Sequence, residues 1–97
     1  MESITAEELE ARIREILNYG SLIYPDHVKE RMAERNYDMG DVRHILKNGK
    51  IITFTKKGNE KYRCVIHGED LEGYKGAVIT IVIKNIRLVI LTVLGGM

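Results

Sequence analysis

His27-x-x-x-Arg31-Met32-x-x-Arg35 puts three side chains with phosphate chemistry at a spacing of four, and Lys61 and Arg63 alternate along a later aromatic and β-branched stretch. Residues four apart are neighbours on a helix, so the imidazole at 27 and the guanidinium at 31 can flank one anion while Arg35 extends the track. This combination suits RNA cleavage without a metal. Such a reaction needs a group to deprotonate the ribose 2′-hydroxyl, cations to stabilise charge growing on the phosphate, and an acid for the leaving oxygen. Histidine, with an ordinary pKa of about 6.5, serves either proton-transfer role near neutrality, and arginine supplies a planar phosphate clamp.

The same residues also have structural uses. Glu30 and Glu34 lie beside Arg31 and Arg35, and Asp26 adjoins His27. Either arginine can therefore form salt bridges or fasten its helix to a sheet through bonds to carbonyls, and His27 can cap or pack.

Other chemistries find little support. His27, His44 and His67 stand 17 and 23 residues apart, which is no local ligand cluster, so neither a metal nor a cofactor is expected. No P-loop, glycine-rich dinucleotide motif, His-Glu-x-x-His or Cys-x-x-Cys is present. The lone Cys64 excludes an intrachain disulfide and alternates with strand residues as a small buried hydrophobe. DNA binding through Arg43, His44 and Lys47 is a weaker reading, because no second helix-turn-helix signal accompanies them.

The elements that position the motif can be read from periodicity. Thr5 and Glu8 form a capping-box pattern, Ile4 and Leu9 a hydrophobic staple, and Leu9, Ile13, Ile16 and Leu17 one apolar stripe, so a first helix is predicted that stops at Gly20. Ser21 to Tyr24 reads as a connector. Pro25 then opens a second helix running to about Arg35, with Val28 and Met32 as its narrow apolar face. Asp38 and Asp41 start a third, which buries Met39, Val42, Ile45 and Leu46 and ends at Asn48-Gly49.

From Ile51 the period becomes two. Strands are expected at 51–55 and 61–67, then at 77–83 and 87–94, with a turn at Lys57-Gly58-Asn59 and a tight link at Lys84-Asn85-Ile86 that lacks the usual glycine. Tyr62, Cys64 and Ile66 share one face of the second strand, and Lys61, Arg63, Val65 and His67 the other. The last two strands are almost continuously apolar, which implies burial on both faces or a central position. Helices followed by strands give an α+β fold, with N-terminal helices packed on one face of a mainly antiparallel four-stranded sheet. The closing Gly95-Gly96-Met97 is expected to fray.

Length and charge set the outer bounds. Ninety-seven residues make one domain, 1–97, with room for one core. The net charge of +1 hides an acidic stretch at 1–41 (−5), a basic one at 42–63 (+6) and a balanced remainder. Low total charge argues against broad electrostatic capture of RNA but leaves room for a local phosphate site; a solvated face is the plainer use of the basic stretch. The longest apolar run, 77–83, is far below the roughly 20 residues of a membrane span, and the acidic N-terminus lacks a signal-peptide pattern. A cytoplasmic protein without membrane contact is expected.

His27-Val28-Lys29-Glu30-Arg31-Met32-Ala33-Glu34-Arg35, with Asp41-Val42, Ile45-Leu46 and Gly49, resembles a bacterial family of uncharacterised domains whose pattern reads roughly H-A-x-x-R-M-x-x-R, then D-V, L and G. Tyr62-Arg63-Cys64, Gly68 and Val89-Ile90-Leu91-Thr92-Val93 resemble that family's strands. The resemblance covers 22–94 and leaves the first helix, within 1–20, outside. Val28 replaces the usual alanine, and Asn36-Tyr37 the usual glycine and aliphatic residue. That family is in turn similar to the RelE, BrnT and MqsR ribonuclease toxins. The resemblance implies a RelE-like fold and a metal-independent endoribonuclease toxin neutralised by a cognate antitoxin. It matches His27, Arg31, Arg35 and Arg63, which gives His27, Arg31 and Arg63 as the expected catalytic residues and Arg35 as an RNA-binding one; Lys61, outside the matched positions, is expected to bind RNA because it alternates with Arg63 on the basic strand face. The alternative is a non-catalytic protein-binding module of the same fold.

Overall fold

The computed structural model describes residues 3–95. Three helices and five strands follow in the order α1 (Ala6–Tyr19), β1 (Ser21–Ile23), α2 (Asp26–Glu34), α3 (Met39–Asn48), β2 (Lys50–Gly58), β3 (Lys61–Glu69), β4 (Lys75–Ile83) and β5 (Arg87–Gly95). They form one α+β unit. The sheet order is β1-β5-β4-β3-β2; β2 to β5 are an antiparallel meander and β1 is parallel to β5. Five strands in a mixed sheet replace the expected four. Ser21, Leu22 and Ile23 pair with Arg87, Leu88 and Val89, and a three-residue strand is too short to show a period, so it reads as a connector in the sequence.

The caps form as their residues dictate. The Thr5 hydroxyl accepts from the Glu8 amide at 3.1 Å, and Asp38 and Asp41 exchange side-chain and backbone bonds in a complete capping box. Asn36 is left-handed, φ 59°. Around it the Tyr37 amide donates to the Met32 carbonyl and the Asn36 amide to Ala33, which is a full Schellman closure of α2. A glycine suits that conformation, which is the physical sense of the glycine usual in the resembled pattern. The first hairpin turn differs from expectation, since β2 runs through Gly58, while the link at 84–86 forms where expected; Glu60 and Lys84, not glycine, take positive φ. Gly95 closes β5; the fraying expected of Gly96 and Met97 falls outside the described residues.

One face of the sheet carries the core. Leu9, Ile13 and Ile16 of α1, Val42 and Ile45 of α3, and Cys64, Ile66, Val78, Val82, Leu88 and Ile90 of the strands are all almost fully buried. At roughly 1.5–3 kcal/mol per buried aliphatic side chain, this layer dominates stability. Helix α1 is bound in at several points besides. Glu10 accepts from the Ile51 amide at 2.9 Å, Arg43 of α3 donates to the Leu17 carbonyl at 2.7 Å, and Arg12 approaches Glu60 at 3.6 Å.

Candidate functional site

Helix α2 lies against β5 beyond the end of β1. Since β1 pairs only with residues 87–89, the rest of β5 has no strand on that side, and α2 covers it. Val28 and Met32 enter the core. The Arg35 guanidinium donates to the Val93 carbonyl at 3.2 Å, partly buried. Of the alternatives open for the arginines, Arg35 takes the backbone-fastening one, and it holds the helix onto the strand.

His27 and Arg31, on the outer side of the same helix, line a cleft of about 140 Å³ with Val28, Leu91, Thr92 and Val93. Both side chains are exposed. Among the described residues neither Arg31 nor Arg35 forms an ion pair with Glu30 or Glu34, and Arg12–Glu60 is the ion pair found. The pair at 27 and 31 therefore meets where a helix predicts it, over a strand backbone.

Register then places the strand cations. Paired strand residues share a face. Arg63 pairs with Ile81, which pairs with Val89, and Val65 pairs with Ile79, which pairs with Thr92. All six stand on the sheet face opposite the helices. A β-bulge between Ile79 and Thr80 leaves Leu91 unpaired and keeps Thr92 on that outer face. With strands about 4.8 Å apart and about 3.3 Å per residue, the Arg63 and Thr92 backbones are about 12 Å apart across it. Lys61 lies next to Arg63 on the same face, paired with Ile83. The structure thus brings His27 and Arg31 together at one margin of the outer face and places Arg63 and Lys61 farther along it.

Several polar residues elsewhere are occupied structurally. The Tyr37 hydroxyl donates to Asp70 at 2.9 Å, and the other Asp70 oxygen accepts from the Glu72 and Tyr74 amides. Burial pushes the Asp70 carboxyl up, but bonds from Tyr74, Tyr37, Glu72 and Gly73 outweigh it and hold the carboxyl below its usual range. Gly76 and Gly95 pair across β4 and β5, and a Cβ on Gly95 would collide with the Tyr37 hydroxyl, so both glycines make room for that ring. His44 Nδ1 donates to the Glu69 carbonyl at 2.7 Å. With Arg43 held by Leu17, two of the three α3 side chains considered for DNA contact have structural partners.

Cys64 is fully buried, and burial pushes its thiol up to about 12. Among the described residues, no group of three or more His, Cys, Asp or Glu is placed to hold a metal ion. No helix among them is long and apolar enough to cross a membrane. Thr92 is the cleft residue that residue chemistry did not single out: a strand threonine looks like sheet propensity, and only the bulge beside it turns it toward the cleft.

Comparison with known families supplies one match. The family described as a domain of unknown function, DUF4258, matches residues 24–94. The chain belongs to that family. No curated protein and no solved structure matches. The DUF4258 segment runs from Tyr24, just before α2, almost to the end of β5, so it contains the His27–Arg31 cleft, Arg63 and Lys61. It leaves out α1 and β1, although three α1 side chains are in the core.

Proposed function

We propose that this DUF4258 protein is a RelE-like, metal-independent endoribonuclease acting in the cytoplasm as the toxin of a toxin–antitoxin pair. The observation that carries the reading is the cleft shared by His27 and Arg31 beside Thr92, with both side chains exposed and Arg31 outside any ion pair with Glu30 or Glu34. His27 takes the 2′-hydroxyl proton as general base. The 2′-oxygen attacks phosphorus, the 5′-oxygen leaves and takes a proton from solvent, and Arg31 holds the phosphate oxygens throughout. Arg63, about 12 Å from Thr92 across the outer face, and Lys61, about 16 Å from it, bind neighbouring phosphates of the same strand. Arg35 contributes by fixing α2, since its guanidinium bonds the Val93 carbonyl.

The test is incubation of the purified chain with cellular RNA in a chelator. Cleavage is expected, reduced by about 10²–10⁴ in His27→Ala and strongly in Arg31→Ala, with thermal unfolding unchanged in both. RNA that stays intact across protein concentration, pH and added ribosomes overturns the reading.

A further inference from the structure

The outer face of the sheet has an unusual composition. In antiparallel sheets with one face in water, the outward residues are normally polar. Here the outward residues of β4 are Ala77, Ile79, Ile81 and Ile83, and Val65 and Val89 flank them on β3 and β5. The three isoleucines are half-buried although nothing covers them among the described residues, and Ile23 of β1, paired with Val89, is 43% exposed. The apolar band therefore crosses four neighbouring strands. A cleft of about 640 Å³ opens at its end between His67, Lys75, Ala77 and Leu94.

Charge frames this band on one side of the ledger only. Register puts Lys50, Lys61, Arg63, Lys75 and Arg87 on the same face, against Glu69 alone. Face-to-face pairing of two copies would bring these cations together, which disfavours a symmetric self-dimer. RNA would meet the cations but gains little from an aliphatic floor, because bases stack on aromatic rings, and Phe54 and Tyr62 pack against the helix-side core. An apolar sheet face is buried in domains against a helix layer or a second sheet, and with a second copy of this sheet disfavoured by charge, a helix is the layer that fits.

We infer that the outer sheet face is the docking surface for an amphipathic helix of a partner protein, with an aliphatic face seated on Ile79, Ile81 and Val89 and acidic residues against Lys61, Arg63 and Arg87. Across four strands the band spans about 14 Å, the length of roughly three helical turns. A helix seated there covers Arg63 and Lys61. Docking itself does not depend on RNA cleavage; if the protein is a nuclease, the same partner silences it.

Three 15-residue helical peptides test the inference: a leucine stripe flanked by glutamates, the same stripe flanked by lysines, and the glutamate peptide with its leucines replaced by serine. Fluorescence anisotropy measures affinity, and amide chemical shifts locate the site. The leucine–glutamate peptide is expected to bind and to shift Val65, Ile79, Ile81 and Val89, with the other two at least tenfold weaker. Ile81→Thr, which keeps strand propensity, is expected to weaken it at least tenfold while circular dichroism stays native. The double charge reversal Lys61→Glu/Arg63→Glu is expected to exchange the preference to the lysine-flanked peptide. Equal affinity for the two leucine peptides, shifts confined to the helices, or no binding overturns the inference. Self-association abolished by Ile81→Thr also overturns it, in favour of a second copy.

Discussion

The Arg35 guanidinium donates to the Val93 carbonyl at 3.2 Å, joining residues 58 apart in sequence at the point where β5 has lost its β1 neighbour. Edge strands need cover, and this bond fixes α2 as the cover. It also divides a uniform-looking motif: Arg31 faces a cleft while Arg35 faces a backbone carbonyl.

Arg35→Ala and Arg31→Ala are therefore expected to differ in kind. Loss of a partly buried bond from a charged donor costs on the order of 1–2 kcal/mol, or several degrees in melting temperature for a domain this small. Arg31→Ala leaves the melt in place and removes RNA cleavage. Calorimetry and an RNA assay on both variants check this; equal melts, with cleavage lost in both, would return Arg35 to the RNA site.

Asp70 makes the protein sensitive to acid. Its folded carboxyl titrates below the unfolded one, near 3.9, so its stabilisation is complete above the unfolded value and disappears as pH falls through the lower folded one. Asp70→Asn is expected to be less stable than the parent at pH 7, with the gap closing below about pH 4. Tyr37→Phe removes one of the bonds responsible and is expected to change the same region of the curve in the same direction. Urea titrations at a series of pH values measure both.

Cys64 gives the opposite dependence. A thiol held neutral in the core, pushed to about 12, ionises later than an unfolded thiol near 8.5. Stability is then present below the unfolded value and declines as pH rises from there toward the folded one. Native protein is expected to resist thiol reagents at pH 8 and to react fully in denaturant. Cys64→Ala should remove its share of the alkaline loss, which melts between pH 8 and 10 will show.

How far the sequence speaks depends on the range of the interactions involved. The helix starts at Thr5 and Asp38 and the burial of Cys64 are local or periodic, and each could be read directly. The His27–Arg31 pairing follows from helical spacing alone. β1 could not be read, because its only signal is a pairing with residues 87–89, about 65 positions away. Nor could the β-bulge beside Thr92, the glycine slot for Tyr37, or the separation of Arg63 from His27, all of which are set by register across strands. Apolar continuity in β4 correctly indicated a central strand, but its second reading, burial on both faces, is met on one face only.

The family boundary leads to the last prediction. DUF4258 matches from residue 24, yet Leu9, Ile13 and Ile16 of α1 are at most 1% exposed. At roughly 1.5–3 kcal/mol each, their combined burial is comparable with the whole stability of a small domain, about 5–15 kcal/mol. Removing residues 1–20 also strips Glu10 from the Ile51 amide and leaves the Arg43 guanidinium without the Leu17 carbonyl. The segment 21–97 is expected to lack a cooperative melt and to bind a hydrophobic dye, and a synthetic 1–20 peptide added in trans should restore part of the helical signal. A cooperative melt of 21–97 matching the full chain would show that α1 decorates this fold and does not complete it.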